Sequence, residues 1–247
     1  MIKDGATEMD EPIQSFLMIG QSNMAGRGEF GEVPAIENPL CYMLRMGRWQ
    51  KMREPINPDR GIFEGAFRSG VGLSASFADA VANKTNQRVG LIPCADGATR
   101  MDLWMPGEVL YDHAVMMTRL AMRSSTFAGI LWHQGEADCR DDERVATYKQ
   151  KFITMMTSLR RDLHAEQLPV MIGELSLLID PKHGKGNRME TLNRVFHEIA
   201  EELPLCRVVS AKDLTLKADG LHFDSASLRV FGRRYFQAYE ELIASKE

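Results

Sequence analysis

"FLMIGQSNMAGRG", Phe16 to Gly28, is an apolar run that breaks off at Gly20 and gives way at once to amide and small residues around a serine. Near-continuous hydrophobicity over so few residues suits a strand covered on both faces, the habit of parallel sheets. In open sheets of that kind ligands bind beyond the carboxyl ends of the strands, where strand order reverses. Ser22 therefore stands where chemistry is done. The stretch is not the G-x-S-x-G elbow of α/β-hydrolases, because Met24 occupies the second glycine position. On this pattern alone Ser22 is either an exposed nucleophile or an ordinary helix N-cap.

The rest of the chain repeats the alternation. Apolar runs at Gln14–Gly20, Arg88–Pro93, Phe127–His133, Pro169–Leu175 and Cys206–Ser210 predict five strands. Helical patterns lie between and after them, at Leu73–Ala82, Val109–Met122, Glu143–Leu163, Asn187–Leu203 and Ser225–Ala244. In the third of these, Val145, Tyr148, Phe152, Met155, Leu159 and Leu163 recur at three- and four-residue steps, the mark of an amphipathic helix. Strand and helix in turn imply a parallel sheet between two helical layers. No composition break marks a second unit, so residues 1–247 are expected to form one domain. Two stretches resist assignment, Arg27–Gly70 and Ala95–Gly107, and long loops of that kind are usually functional.

Composition narrows the function. The 247 residues carry 30 Lys and Arg against 34 Asp and Glu, a net charge of −4 with no long basic run. That argues against nucleic acid or an anionic membrane as partner. No segment holds eighteen continuous apolar residues, so no membrane-spanning helix is expected. The start, "MIKDGATEMDEP", is polar and acidic rather than signal-like, which gives a cytoplasmic expectation. The four cysteines, Cys41, Cys94, Cys139 and Cys206, form no CxxC pair and read as buried free thiols.

Two further strand ends carry chemistry-bearing residues. "WHQGEAD", Trp132 to Asp138, follows the third predicted strand. A flavodoxin-like strand order would set Gln134 there beside Ser22. His133, Glu136, Asp138 and Cys139 match neither HExxH nor a zinc Cys/His spacing, so no metal is expected. "ADGLHFD", Ala218 to Asp224, follows the fifth strand, with Asp219 and His222 three apart. A carboxylate on an imidazole fixes its tautomer and stabilises the imidazolium formed when it accepts a proton. A serine hydroxyl is a poor nucleophile without such a base. The loop running from Ala95 through Asp96, Thr99 and Arg100 to Trp104 follows the second strand and should face the same crevice.

GQSNMAG, WHQGE and DGLHFD together resemble the sequence blocks of the SGNH hydrolases, in particular the carbohydrate esterase branch that contains sialate O-acetylesterases and acetylxylan esterases. A fourth stretch, Gly70 to Ser74 with Ser76-Phe77-Ala78 after it, is similar to a glycine block opening a helix. The resemblance implies a three-layer α/β/α fold on a five-stranded parallel sheet, and removal of ester-linked acetyl groups without a cofactor. By position it makes Ser22 the nucleophile, His222 the general base and Asp219 the residue orienting it. It assigns the oxyanion hole to the backbone N–H of Ser22, that of Gly72 and the side-chain amide of Gln134, with Gly70 and Gly65 as competing glycines. The sequence departs from the general SGNH pattern in carrying glutamine where asparagine is usual.

Gln21, Asn23, Glu136, Thr99 and Trp104 are candidates for supporting or substrate-binding roles. Asn23 is expected to brace the turn after Ser22. Glu136 would orient His222 in place of Asp219, hold a structural group under the site, or bind substrate; support is the favoured reading. Thr99 and Trp104 would suit a sugar ring, or Trp104 packs the loop onto the domain, and Arg53, Arg60 and Arg68 would meet an acidic sugar or lie in solvent. Two other functions compete with carbohydrate deacetylation: a broader acyl hydrolase acting on small, lipid or thioesters, and a sugar-binding relative without turnover.

Overall fold

The computed structural model describes residues 12–58, 68–183 and 187–245. Its centre is β1 (Ile13–Gly20), buried along nearly its whole length. Phe16 and Met18 point into one hydrophobic cluster and Leu17 and Ile19 into another, so the strand feeds both faces of the sheet. Six more strands complete the sheet: β2 (Cys41–Arg45), β3 (Arg48–Lys51), β4 (Val89–Pro93), β5 (Ser125–His133), β6 (Val170–Gly173) and β7 (Cys206–Val209). Their spatial order is β3-β2-β4-β1-β5-β6-β7. All neighbours pair parallel except β2 and β3, which are antiparallel.

The five expected strands are therefore five of seven. They hold the flavodoxin-like order, with β4 and β5 on either side of β1. The two additional strands lie inside the stretch read as loop, at the sheet edge. They form a hairpin turning on Met46 (φ 50°) and Gly47 (φ 75°), the positive pair that two-residue hairpin turns demand. Methionine in place of asparagine or aspartate hides that turn in the sequence, and strands of five and four residues leave little pattern to read.

α1 (Ser22–Ala25), α2 (Leu73–Thr85) and α6 (Ser225–Ala244) cover one face of the sheet. α3 (Val109–Ala121), α4 (Asp142–Asp162) and α5 (Arg188–Glu202) cover the other. The ends follow local chemistry. Asp141 caps α4, its Oδ1 accepting from the N–H groups of Glu143 and Arg144 at 2.9 and 3.2 Å. Acidic residues fill the first turn of α4 and Arg160 and Arg161 the last, each favourable to the helix dipole. Asp224 caps α6 by accepting from Ser227 N–H at 2.7 Å, which fixes where the segment carrying His222 must end.

Candidate active site

Gly20 and β5 set the position of Ser22. The chain leaves β1 through Gly20 at φ 130°, and the Gln21 N–H donates to the His133 carbonyl at 2.9 Å. Ser22 then opens the short α1, where the first N–H groups have no carbonyl of their own helix to reach. Ser22 itself is buried but lines a small cavity of about 150 Å³ with Gln21, Arg27, Ala98, Glu136, Arg140, His183 and His222.

Two hundred residues later the chain returns to this point. His222 Nε2 lies 2.9 Å from Ser22 Oγ, and His222 Nδ1 lies 2.8 Å from Asp219 Oδ2. Asp219 Oδ1 also accepts the N–H groups of Leu221 and His222, at 2.9 and 3.0 Å. Partial burial pushes the Asp219 carboxyl up, but these two backbone donors and the imidazole outweigh it and hold the group at about 2. The carboxylate is ionised wherever the imidazole needs it. The structure thus brings together all three residues of the expected serine, histidine and aspartate set.

Glu136 does not touch His222. Its Oε1 accepts from Asn23 Nδ2 at 2.7 Å and faces His133 Nε2 at 3.2 Å, all three side chains being buried. Burial pushes the Glu136 carboxyl up, yet the adjacent His133 imidazole and the Asn23 amide keep it below the ordinary carboxylate value. Asn23 in turn accepts the Phe223 N–H at 3.1 Å. Supporting roles fit both residues.

The oxyanion assignments need correction. The Gly72 N–H is donated to Glu54 Oε1 at 2.8 Å, within a buried Glu54–Arg229 pair, and so is committed away from Ser22. The competing Gly70 N–H goes to the Gly26 carbonyl at 3.1 Å, and Gly65 lies outside the described residues. The Gln134 amide is committed as well. Its Nε2 donates to Asp138 Oδ2 at 2.6 Å and to the Thr99 carbonyl at 2.8 Å, while Oε1 accepts from Tyr148 at 2.8 Å. Gln134 is fully buried and braces the turn after β5. Ala98, in the loop after β4, lines the cavity with Ser22, at φ 59°. That loop was visible in the sequence, but the strand that it follows, next to β1, was the signal that should have outweighed the glycine at a helix start.

Of the two readings of Trp104, the structure shows the packed one. Trp104 is 1 % exposed; its Nε1 donates to Thr99 Oγ1 at 3.2 Å and its ring meets Trp132 edge-on. Thr99 is as deeply buried and donates to the Asp96 carbonyl. Both hold the loop onto the core rather than line the cavity. Arg53 and Arg68 are exposed and do not line the cavity, and Arg60 lies outside the described residues. The basic residues that do line it, Arg27, Arg140 and His183, passed unnoticed because nothing local distinguishes them. Burial pushes every cysteine thiol up, to about 12 for Cys41 and Cys206 and higher for Cys94 and Cys139. Among the described residues no cluster of three His, Cys, Asp or Glu could hold a metal ion, and no helix is long and apolar enough to cross a membrane.

A family model described as carbohydrate esterase, sialic acid-specific acetylesterase, matches residues 12–241. The chain belongs to this family. The esterase is similar to a probable carbohydrate esterase of Arabidopsis thaliana, 29% identical, with 92% of this chain and 90% of the relative aligned. A solved Arabidopsis thaliana structure superposes with a TM-score of 0.82 at 28% identity, covering 93% of this chain and 98% of that one. NanS shares the fold at a TM-score of 0.74 and 17% identity, over 96% and 99% of the two chains. A carbohydrate acetylesterase from Xanthomonas citri shares it at 0.62 and 16%, over 94% of this chain and 56% of that one. The esterase is a carboxylic ester hydrolase.

Proposed function

We propose that this esterase removes O-acetyl groups from an acidic sugar through an acetyl-enzyme formed on Ser22. One observation carries the reading, the 2.9 Å separation of Ser22 Oγ and His222 Nε2 with Asp219 on the far ring nitrogen. His222 takes the hydroxyl proton as Ser22 Oγ attacks the acetyl carbonyl, and Asp219 stabilises the imidazolium that results. The N–H groups of Ser22 and of the Gly97–Ala98 turn receive the negative oxygen of the tetrahedral intermediate. Each such donor contributes roughly a hundred- to a thousandfold. Collapse breaks the ester bond, and the sugar hydroxyl leaves with the proton from His222. Water, deprotonated by the same imidazole, then attacks acetyl-Ser22 and releases acetate.

The cavity supports a small acyl group over a long one. At about 150 Å³ it has the room of about five water molecules, enough for acetyl and not for a fatty chain. Its lining supports an acidic sugar over neutral xylan, because Arg27 and Arg140 line it and Glu136, the one carboxylate among its described lining residues, is already engaged. The family description, sialic acid-specific acetylesterase, supports the same reading.

The test is acetate release from O-acetylated sialic acid and from acetylated xylo-oligosaccharides, run beside Ser22→Ala. The expected result is faster release from the acidic sugar and a loss of about 10⁴-fold or more in kcat for the variant. Full turnover by Ser22→Ala would overturn the mechanism; preference for the xylan fragments would overturn the substrate class.

A further inference from the structure

We propose that Asn23 is the positioning residue that sets His222 against Ser22, and that Glu136 acts on the base only through Asn23. The inference rests on the reading of Ser22 and His222 given above. Asp219 cannot do this work alone. The bonds of its carboxylate run to Leu221 N–H, His222 N–H and the His222 ring, all within three residues, and its carbonyl faces the His183 ring at 3.2 Å rather than the serine turn, so Asp219 and His222 travel together as one turn. They orient the imidazole within that turn and do not tie it to the serine. The ring of Phe223 is buried against His133 and Phe231, which fixes how deeply the segment sits. Asn23, one residue after Ser22 and fully buried in α1, joins the backbone at His222 directly to the serine turn; the other link, from the His222 carbonyl through Lys217 to the Arg27 carbonyl, runs through a long lysine side chain.

Asn23 Oδ1 accepts the Phe223 N–H at 3.1 Å, and Nδ2 approaches the Leu221 carbonyl at 3.5 Å. These are the backbone groups on either side of His222. An amide can be turned end for end, and only one orientation serves here. Glu136 selects it: a carboxylate accepts and cannot donate, so its Oε1 at 2.7 Å must face Nδ2, which leaves Oδ1 for Phe223. Glu136 is held in turn by His133 Nε2 at 3.2 Å, on the last residue of β5. A chain of buried polar contacts thus runs from β5 through Glu136 and Asn23 to the backbone of the base.

Reversing the hydrogen bond tests this. Asn23→Ala is expected to lower kcat tenfold to about a hundredfold, the scale of a misplaced reacting group, with KM within about threefold. Labelling of Ser22 by an organophosphonate ester should slow to the same extent. Asn23→Asp sets two carboxylates together and should lose at least as much. Adding Glu136→Gln restores a donor–acceptor pair with the roles exchanged, because the new amide donates to the new carboxylate, which still accepts from Phe223. The double variant should regain at least about tenfold in kcat over Asn23→Asp, since a compensated pair is coupled rather than additive. The clamp is overturned if Asn23→Ala keeps its kcat, if its loss lies in KM, or if the double variant is no better than the single one, through lost fold or lost turnover. Failure of the underlying reading looks different: the phosphonate would then leave Ser22 unlabelled in the unaltered protein.

Discussion

The carbonyl oxygen of His133 stands 2.1 Å from where a Cβ on Gly20 would sit. Two parallel strands meet there so closely, and with Gly20 at φ 130°, that no other residue can end β1. Because Ser22 follows two residues later, this contact fixes the serine against the end of β5. Gly20→Ala should cost about 1–3 kcal/mol from the backbone conformation alone, with the clash in addition. A urea unfolding midpoint would show the loss, and kcat/KM in the folded fraction should fall with it.

The ionisation of Asp219 makes a prediction about acid. Its carboxyl is held at about 2 in the folded protein, below the roughly 3.9 of an unfolded chain. The folded state therefore binds fewer protons, and the group contributes stability above about pH 4 that is lost as pH falls towards 2. Asp219→Asn should be less stable than the unaltered protein at pH 6, with the gap closing as pH falls below 4. Denaturation midpoints at three pH values test the sign. The same variant should lose about a hundredfold or more in kcat at pH 7, since the imidazole loses its orienting anion.

Arg140 is exposed at the mouth of the cavity. Arg140→Ala should lower kcat/KM for an acetylated acidic sugar more than for a neutral aryl acetate, by about threefold to tenfold in the ratio. An exposed charge is screened by salt, so the same ratio should shrink as ionic strength rises from 0.05 to about 0.5 M. A ratio that does not move in either experiment would remove Arg140 from substrate recognition.

Glu54 and Arg229 form a buried pair, each side chain about one-tenth exposed. Glu54 accepts from Arg229 Nη1 at 2.8 Å and from the Gly72 N–H at the same distance. Glu54→Ala strands a buried guanidinium and an amide, and should destabilise the protein by about 3–5 kcal/mol. Thermal unfolding measures it. The effect belongs to folding, because the amide that Glu54 holds is turned away from the serine.

Much of this molecule was readable along the chain. The Leu228, Phe231, Tyr235, Tyr239 and Leu242 stripe gave α6 with both ends, and the apolar runs gave five strands, because burial on a fixed face writes a period into the sequence. The β2–β3 hairpin was not readable, since a Met-Gly turn, a five-residue strand and an exposed four-residue edge strand write almost none. The site divided in the same way. Ser22, Asp219 and His222 were found because each follows a strand and has a chemistry of its own. The amides of Gly72 and Gln134 were misassigned because a donor is defined by what it already bonds, and Glu54 and Asp138 lie far from them or on the wrong side of a turn.

The order of residues by itself determined which groups do chemistry and that they stand at strand ends, for side-chain type and hydrophobic period are local properties. Which N–H groups find partners, which basic residues line the cavity, and that an asparagine beside the serine holds the backbone next to a histidine two hundred residues away were decided only by folding. Hydrogen bonds saturate: a donor given to one partner is withdrawn from every other, and no stretch of sequence records which partner arrived.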